Sequence, residues 1–353
     1  MRIAIFAPVF VRPTETFIYD ATRELIAAGN DVEIIAEECP LEPNDRPAAA
    51  HVVAPPGRWD PKRLLKRLAR PLLGTPPGGE AAAIQRAEIR RILDRFEPEV
   101  IIANYGQSGV LLAPLAKDMK LPLVVSFHGF DASQLGRDSM WQDRFRKMFE
   151  TAAAATGPSE YVRQKLIRLG CPPERAHVLH YGIRTDRIQY VPVRRQQADE
   201  TVKFLFVGRL AEKKDPMSLL KSFQLAVSEL GTDGAILTMV GDGPLREKVH
   251  DCIAELGIGD AVRLLGRQTH EQVIEHMRDA HIYVQHSVTA PNGDEEGLPV
   301  SITEALASGL PVISTRHSGI PEAVREDECG LLVDEKDVDG MSQAMVRLAR
   351  DPD

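Results

Sequence analysis

Glu296-Gly297-Leu298-Pro299-Val300-Ser301-Ile302-Thr303-Glu304-Ala305-Leu306-Ala307-Ser308-Gly309-Leu310-Pro311-Val312-Ile313 reads from left to right as loop, helix, stop and strand. Pro299 is placed at the first helical position, where its missing N–H costs nothing, and Gly309 supplies the left-handed stop. A strand ending near Gln285 leads into this loop through Asn292-Gly293-Asp294-Glu295. Glu296 and Glu304 flank the helix start. A helix N-terminus attracts anions, so a diphosphate fits there while the two carboxylates accept hydrogen bonds from sugar or ribose hydroxyls. The competing reading is that both are first-turn acids that complement the helix dipole.

Working outward, short β-branched runs alternate with longer segments of 3.6-residue period, the pattern of βαβ units. The first half reads as strands near 2–7, 31–36, 99–103, 121–127 and 176–180, with helices near 16–28, 80–95, 108–117, 137–152 and 159–168. Gly29 and Gly170 fall at helix stops. A polar stretch over 184–200, with Pro192 and Arg194-Arg195-Gln196-Gln197, reads as a linker. Beyond it lie strands near 202–207, 235–240, 261–265, 281–285, 310–315 and 330–333 and helices near 216–229, 244–256, 270–279, 299–308 and 337–350. The fold class is therefore α/β, two Rossmann-like domains over 1–190 and 191–353 facing each other across a cleft that is the expected ligand site.

That topology also serves dehydrogenases, but Pro8-Val9-Phe10-Val11-Arg12 after the first strand holds no G-x-G-x-x-G. Gly241-Asp242-Gly243-Pro244 follows a middle strand and has Pro where the fingerprint opens a helix, and no Walker A sequence is present. Two further turns carry candidate chemistry. Val207-Gly208-Arg209-Leu210-Ala211-Glu212-Lys213-Lys214 follows the first strand of the second half, and Arg209 offers a forked donor while Lys214 offers a point charge. Ser126-Phe127-His128-Gly129-Phe130-Asp131 follows an apolar strand of the first half, where a lone His is more often structural.

Taken together these segments resemble retaining glycosyltransferases of the GT-B fold, in the family numbered four. The glutamates match its E-x7-E signature, Gly208-Arg209 to Lys214 its G-R-x4-K turn, and His128 to Asp131 its H-G-x-D loop. Arg316-His317-Ser318-Gly319-Ile320-Pro321-Glu322 also looks like that family. Thr14-Glu15-Thr16-Phe17-Ile18, Ser159-Glu160-Tyr161-Val162-Arg163 and Asn292-Gly293-Asp294 are similar to enzymes of exopolysaccharide assembly of the colanic-acid type. The resemblance implies a nucleotide-diphosphate sugar donor, with UDP-sugars ahead of GDP-mannose, and a saccharide or lipid-linked saccharide acceptor bound by the first domain. It implies that Arg209, Lys214 and the amides around Gly297 and Leu298 hold the diphosphate and Glu296 the sugar hydroxyls. Glu304 would hold the ribose, and His128 would contact the donor sugar near its C6 hydroxyl. Base selection would fall to loops such as Gly266-Arg267 and 240–244. No metal and no cofactor are expected. Asp337-Val338-Asp339 has the D-x-D form but reads as a helix cap. Two departures stand out: Pro13-Thr14-Glu15-Thr16 replaces a glycine pair common in relatives, and the chain stops where relatives usually continue into a further helix. Rival readings are a non-catalytic nucleotide-sugar-binding subunit and a GT-B UDP-sugar epimerase, the second disfavoured by E-x7-E.

Composition agrees with a two-domain chain: 353 residues, 43% hydrophobic and 27% charged, which excludes disordered and collagen-like classes. Residues 1–200 carry 28 Lys+Arg and 25 Asp+Glu, a net of +3, so 201–353 hold a net of −11. Part of that positive charge, five basic residues within 60–70, sits in Asp60-Pro61-Lys62-Arg63-Leu64-Leu65-Lys66-Arg67-Leu68-Ala69-Arg70-Pro71-Leu72-Leu73, which reads as a capped, short basic amphipathic helix suited to an anionic membrane surface. The alternative is a helix packed on its own domain with a solvated basic face. Cys39, Cys171, Cys252 and Cys329 are too scattered for metal spacing and read as reduced thiols. With no signal segment or membrane span in the sequence, the expected location is cytoplasmic, with peripheral contact at the inner face of the membrane. Few aromatics accompany the basic residues, so nucleic-acid binding has no support.

Overall fold

The computed structural model describes residues 1–10, 16–54, 80–188, 190, 201–231 and 233–351. The basic helix expected over 60–70, Pro13-Thr14-Glu15 and most of the linker lie outside the described residues. The chain forms two compact units, Met1–Gly182 and Ile183–Asp353, where the sequence placed the division at 190/191.

The first unit holds seven parallel strands: β1 (Arg2–Val9), β2 (Asp31–Glu38), β3 (Ala49–Val52), β4 (Val100–Asn104), β5 (Leu123–Ser126), β6 (Ala154–Gly157) and β7 (Ala176–Val178). Their order in the sheet is β3-β2-β1-β4-β5-β6-β7. Helices α1 (Thr16–Ala27), α2 (Glu80–Phe96), α3 (Gly106–Met119), α4 (Phe130–Ser133), α5 (Ser139–Thr151) and α6 (Glu160–Arg168) make the crossovers. Because helices cover both faces of a parallel sheet, the middle of its central strand is a continuous apolar run. Ile3 to Ala7 are all buried for this reason.

In the second unit the strands are β8 (Val202–Val207), β9 (Ala235–Val240), β10 (Val262–Gly266), β11 (Ile282–Val284), β12 (Val312–Thr315) and β13 (Gly330–Val333). They run in the order β10-β9-β8-β11-β12-β13, again all parallel. The helices are α7 (Pro216–Leu230), α8 (Arg246–Leu256), α9 (His270–Asp279), α10 (Val300–Ala307), α11 (Ile320–Ala323) and α12 (Val338–Arg350), with α12 packed along α7. Each sheet reverses its strand order once, between β1 and β4 and between β8 and β11. In open parallel sheets that reversal opens a crevice at the carboxyl ends of the two strands, where ligands bind.

Two strands and two short helices were not foreseen. β6 is Ala154-Ala155-Thr156-Gly157 and β3 is Ala49-Ala50-His51-Val52; alanine pairs carry little β signal, and pairing with β5 and β2 decides their conformation. The single turns α4 and α11 are too short to show a helical period. Gly29 and Gly170 adopt φ of +83° and +102°, as a left-handed stop requires.

Candidate functional site

The loops that follow β8 and β11 meet at the reversal of the second sheet. Gly208 to Lys214 forms the first, ending in a 3₁₀ turn over Glu212–Lys214. Its shape depends on its neighbour after β9. A Cβ on Gly241 would stand 1.9 Å from the Gly208 carbonyl oxygen and one on Gly243 2.3 Å from that of Leu210, so only glycine admits this approach. Leu210 N–H donates to Asp242 O at 3.1 Å, and Leu245 N–H to Leu210 O at 3.0 Å. The glycine-rich turn that failed as a dinucleotide fingerprint therefore shapes the Arg209 turn.

Lys214 Nζ lies 3.2 Å from Glu296 Oε1, and each residue is 8% exposed. Beside them Lys213 Nζ lies 3.3 Å from Asp294 Oδ1. Burial works against the Glu296 charge, but Lys213 and Lys214 outweigh it and hold the carboxyl below its usual range. For Lys214 burial wins: its ammonium is pushed down, with Glu296 offsetting part of the shift. Lys213 goes the other way, because Glu296 and Asp294 overcome its desolvation. Burial raises the Asp294 carboxyl. Glu296 Oε1 is fully buried against Lys214, and opposite charge is the main force that holds the two together. Arg209, on the same turn as Lys214, is exposed and has no ion-pair partner among the described residues.

Helix α10 starts at Val300, so Pro299 is its N-cap rather than its first residue, and no side chain caps it. Its first turn has no acid. Glu296 precedes the N-cap and Glu304 is the fifth helical residue, which removes the reading of both as first-turn acids. Glu304 is 8% exposed and its Oε1 lies 2.8 Å from Nε2 of His270, the first residue of α9. The capping box Thr269-Gln272 places His270 there. Nothing in the sequence around His270 signals that its ring reaches a glutamate on another helix. Gly297 and Leu298 are buried in the loop before α10, whereas Arg267, after β10, is exposed and carries no ion pair among the described residues.

Beneath this surface a polar group joins the two loops. Tyr283 Oη lies 3.1 Å from Val207 O, 3.0 Å from Gln285 Oε1 and 2.8 Å from Ser301 Oγ. It thereby ties the end of β8 to the start of α10. Asp337 caps α12 by accepting the Gly340 N–H at 2.8 Å, as expected of the D-x-D sequence.

His128 belongs to the first unit, after β5. Asn104 Nδ2 donates to Phe6 O at 3.2 Å, which turns Asn104 Oδ1 toward His128 Nε2, also at 3.2 Å. Nε2 must then carry the proton, and Nδ1 accepts from Tyr181 Oη at 2.8 Å. Burial holds the ring neutral, with its pKa lowered to about 3. Phe17, Tyr105 and Tyr181 surround it, with ring centroids 4.8, 4.6 and 5.8 Å away. Asp131 is fully buried and accepts N–H groups from Gly106 at 2.8 Å, His128 at 2.9 Å and Ala132 at 3.2 Å. The Asp of the H-G-x-D loop is thus an anchor that binds the loop to the head of α3. Burial raises it to about 6 even so.

Two family models divide the chain between them. Residues 14–187 match Glycosyltransferase Family 4 and residues 192–353 match Glycosyl transferases group 1. The chain is 28% identical to the amylovoran biosynthesis glycosyltransferase AmsK of Erwinia amylovora over 99% of this chain and 91% of that protein. It is also 28% identical to a GDP-mannose-dependent alpha-(1-6)-phosphatidylinositol monomannoside mannosyltransferase of Mycobacterium tuberculosis, over 75% of this chain and 70% of that one. In three dimensions it resembles Anabaena HepE, solved in complex with UDP, with a TM-score of 0.76 at 16% identity, covering 100% of this chain and 91% of that one. With its two parallel-sheet units, its paired domains and these relatives, the chain is a GT-B glycosyltransferase of the family 4 type.

Proposed function

We propose that this enzyme moves a hexosyl group from a nucleotide-diphosphate sugar to a saccharide or lipid-linked saccharide acceptor in the synthesis of a cell-surface polysaccharide, with retention at the anomeric carbon. The observation that carries the proposal is the meeting of Lys214 and Glu296 beside Arg209 at the reversal of the second sheet. The second domain would hold the donor and the first the acceptor. The amylovoran relative supports the polysaccharide assignment. For the donor, the UDP complex of HepE favours a UDP-sugar, and the mycobacterial relative keeps GDP-mannose as the second choice.

As the glycosidic bond to the diphosphate breaks, positive charge grows on the sugar and negative charge on the phosphate. Arg209, Lys214 and the amides at Gly297 and Leu298 stabilise the leaving diphosphate, an electrostatic contribution that needs no covalent intermediate. Two cations in the site supply charge that a metal supplies elsewhere, and the reaction needs no cofactor. Glu296 accepts from sugar hydroxyls, Glu304 from the ribose, and Arg267 stands next to the base. His128, neutral through the physiological range, offers a hydrogen-bonding ring to a sugar hydroxyl once Tyr181 or Asn104 gives way. Holding donor and acceptor together lowers the entropic part of the barrier. The enzyme works in the cytoplasm, peripherally at the inner face of the membrane, where lipid-linked acceptors reside.

A panel of UDP-, GDP- and ADP-sugars, screened for binding and for slow hydrolysis, tests this directly. Binding with hydrolysis of one class supports it. Binding without any turnover, even with acceptor extracts, points to a non-catalytic subunit, and no binding removes the proposal.

A further inference from the structure

Glu296 is held by more than its ion pair. Its backbone N–H donates to His317 Nε2 at 3.2 Å, and its carbonyl accepts from the Ser318 hydroxyl. Ser318 Oγ and Gly319 N–H also both reach Gly297 O at 3.2 Å. The loop after β12 therefore grips the Glu296 and Gly297 peptides, and Ser318 takes a left-handed φ of +53° in doing so.

His317 is itself fixed. It is 2% exposed, and its Nδ1 stands 2.6 Å from Glu335 Oε1, in the loop after β13. Thr289, in the loop that leads to Glu296, donates its N–H to Glu335 Oε2 at 3.0 Å. Burial opposes the Glu335 charge, but the bonds from Thr289 and His317 outweigh it and keep the carboxyl below its usual range. A carboxylate at Nδ1 and an amide N–H at Nε2 admit one arrangement of a neutral ring: Nδ1 donates and Nε2 accepts. The opposite tautomer would aim N–H at N–H. Glu335 thus selects the tautomer that can receive the Glu296 amide.

We infer that His317, with its tautomer set by Glu335, is a positioning residue that fixes the peptide of Glu296 and thereby the aim of the Glu296 carboxylate at the donor sugar. The inference rests on the reading of Glu296 as a sugar-hydroxyl ligand. No part of it requires His317 to touch substrate. A misplacement of about 1 Å in a group that orients substrate can cost about 100-fold in rate.

The test uses the full chain with His317→Ala, His317→Asn and His317→Gln. Gln can place an acceptor near the position of Nε2, whereas Asn reaches only the Nδ1 position. The expected result is a fall in kcat/KM for the nucleotide sugar of about tenfold or more in the Ala and Asn variants, and recovery to within about threefold in the Gln variant. Binding of the nucleoside diphosphate without sugar stays within about twofold of wild type in all three, because Arg209, Lys214 and Glu304 are untouched and Ser318 and Gly319 still hold the Gly297 peptide. A wild-type rate in His317→Ala, equal rates in the Asn and Gln variants, or a parallel loss of nucleoside diphosphate binding overturns the inference. Hydrogen exchange at the Glu296 amide reads the clamp without any substrate: protected in wild type and His317→Gln, unprotected in His317→Ala. If wild type turns over no nucleotide sugar, the proposed function fails, and the exchange result alone still upholds or rejects the clamp.

Discussion

Lys214 and Glu296 form a buried ion pair at 3.2 Å between the loops of two adjacent strands, one on each side of the strand-order reversal. Breaking a buried pair by removing one partner commonly costs about 3–5 kcal/mol, because the other charge stays buried, whereas replacing both is far cheaper. Lys214→Met and Glu296→Gln should each lower stability in urea unfolding, and the double variant should regain most of the loss. None of the three should turn over donor at more than about 1% of wild type, taking 2.7 kcal/mol as the share of the transition state they support. Additive stability losses in the double variant would show that the pair is not coupled.

Arg209 predicts the opposite balance between stability and function. It is exposed and unpaired among the described residues, so Arg209→Ala should leave stability within about 0.5 kcal/mol of wild type. Its nucleoside diphosphate affinity should fall at least tenfold, and Arg209→Lys should recover only part, since a point charge cannot replace a fork. Calorimetric titration against UDP and GDP reads both. Unchanged affinity would remove Arg209 from the diphosphate site.

The Glu304–His270 contact at 2.8 Å bears on the ribose. With Glu304 as the ribose ligand, Glu304→Gln should weaken a ribonucleoside diphosphate more than its 2′- or 3′-deoxy analogue. His270→Ala, which leaves that carboxylate without its imidazole partner, should narrow the same difference more mildly. Equal losses for ribo and deoxy ligands would place Glu304 elsewhere.

His128 and Asp131 pull stability in opposite directions between pH 4 and 6. The native His128 pKa of about 3 lies below its unfolded value of 6.5, so the unfolded state binds the extra proton and stability from this group rises with pH. Asp131 is raised from 3.8 to about 6, so the native state binds the extra proton and its contribution is present at low pH and lost as pH climbs through 6. Relative to wild type, melting temperature should fall with rising pH in His128→Gln and rise with pH in Asp131→Asn. Parallel curves for all three proteins would show that neither shift exists.

The membrane expectation can be tested on the whole enzyme. Flotation with anionic vesicles should carry the wild-type chain upward, and replacing Lys62, Arg63, Lys66, Arg67 and Arg70 with Gln should leave it at the bottom. No flotation of wild type, or flotation unchanged by the substitutions, rejects the membrane role.

The chemistry-bearing turns were legible because each is local. Arg209 and Lys214 lie in one turn, Glu296 and Glu304 straddle one helix start, and the βα alternation announces both sheets. What sequence could not show is how side chains far apart in the chain meet. His270 and Glu304 are 34 residues apart, and His317 and Glu335 are 18 apart on different strand ends; no periodic signal links them. Asp131 belonged visibly to a family loop, yet its work is to hold backbone N–H groups of its own loop and of α3. The alanine-rich β6 failed for a related reason: its conformation comes from the strands beside it.

Gly241 and Gly243 leave no room for a side chain against the carbonyls of Gly208 and Leu210. Those two turns therefore fix one another's backbone and cannot diverge independently. A graft of the Arg209 turn from a relative with different donor preference would collide with a resident partner shaped for another backbone. Exchanging 207–214 together with 240–245 moves the interlocking surfaces as one piece, and a library built to change donor choice should vary the segments jointly.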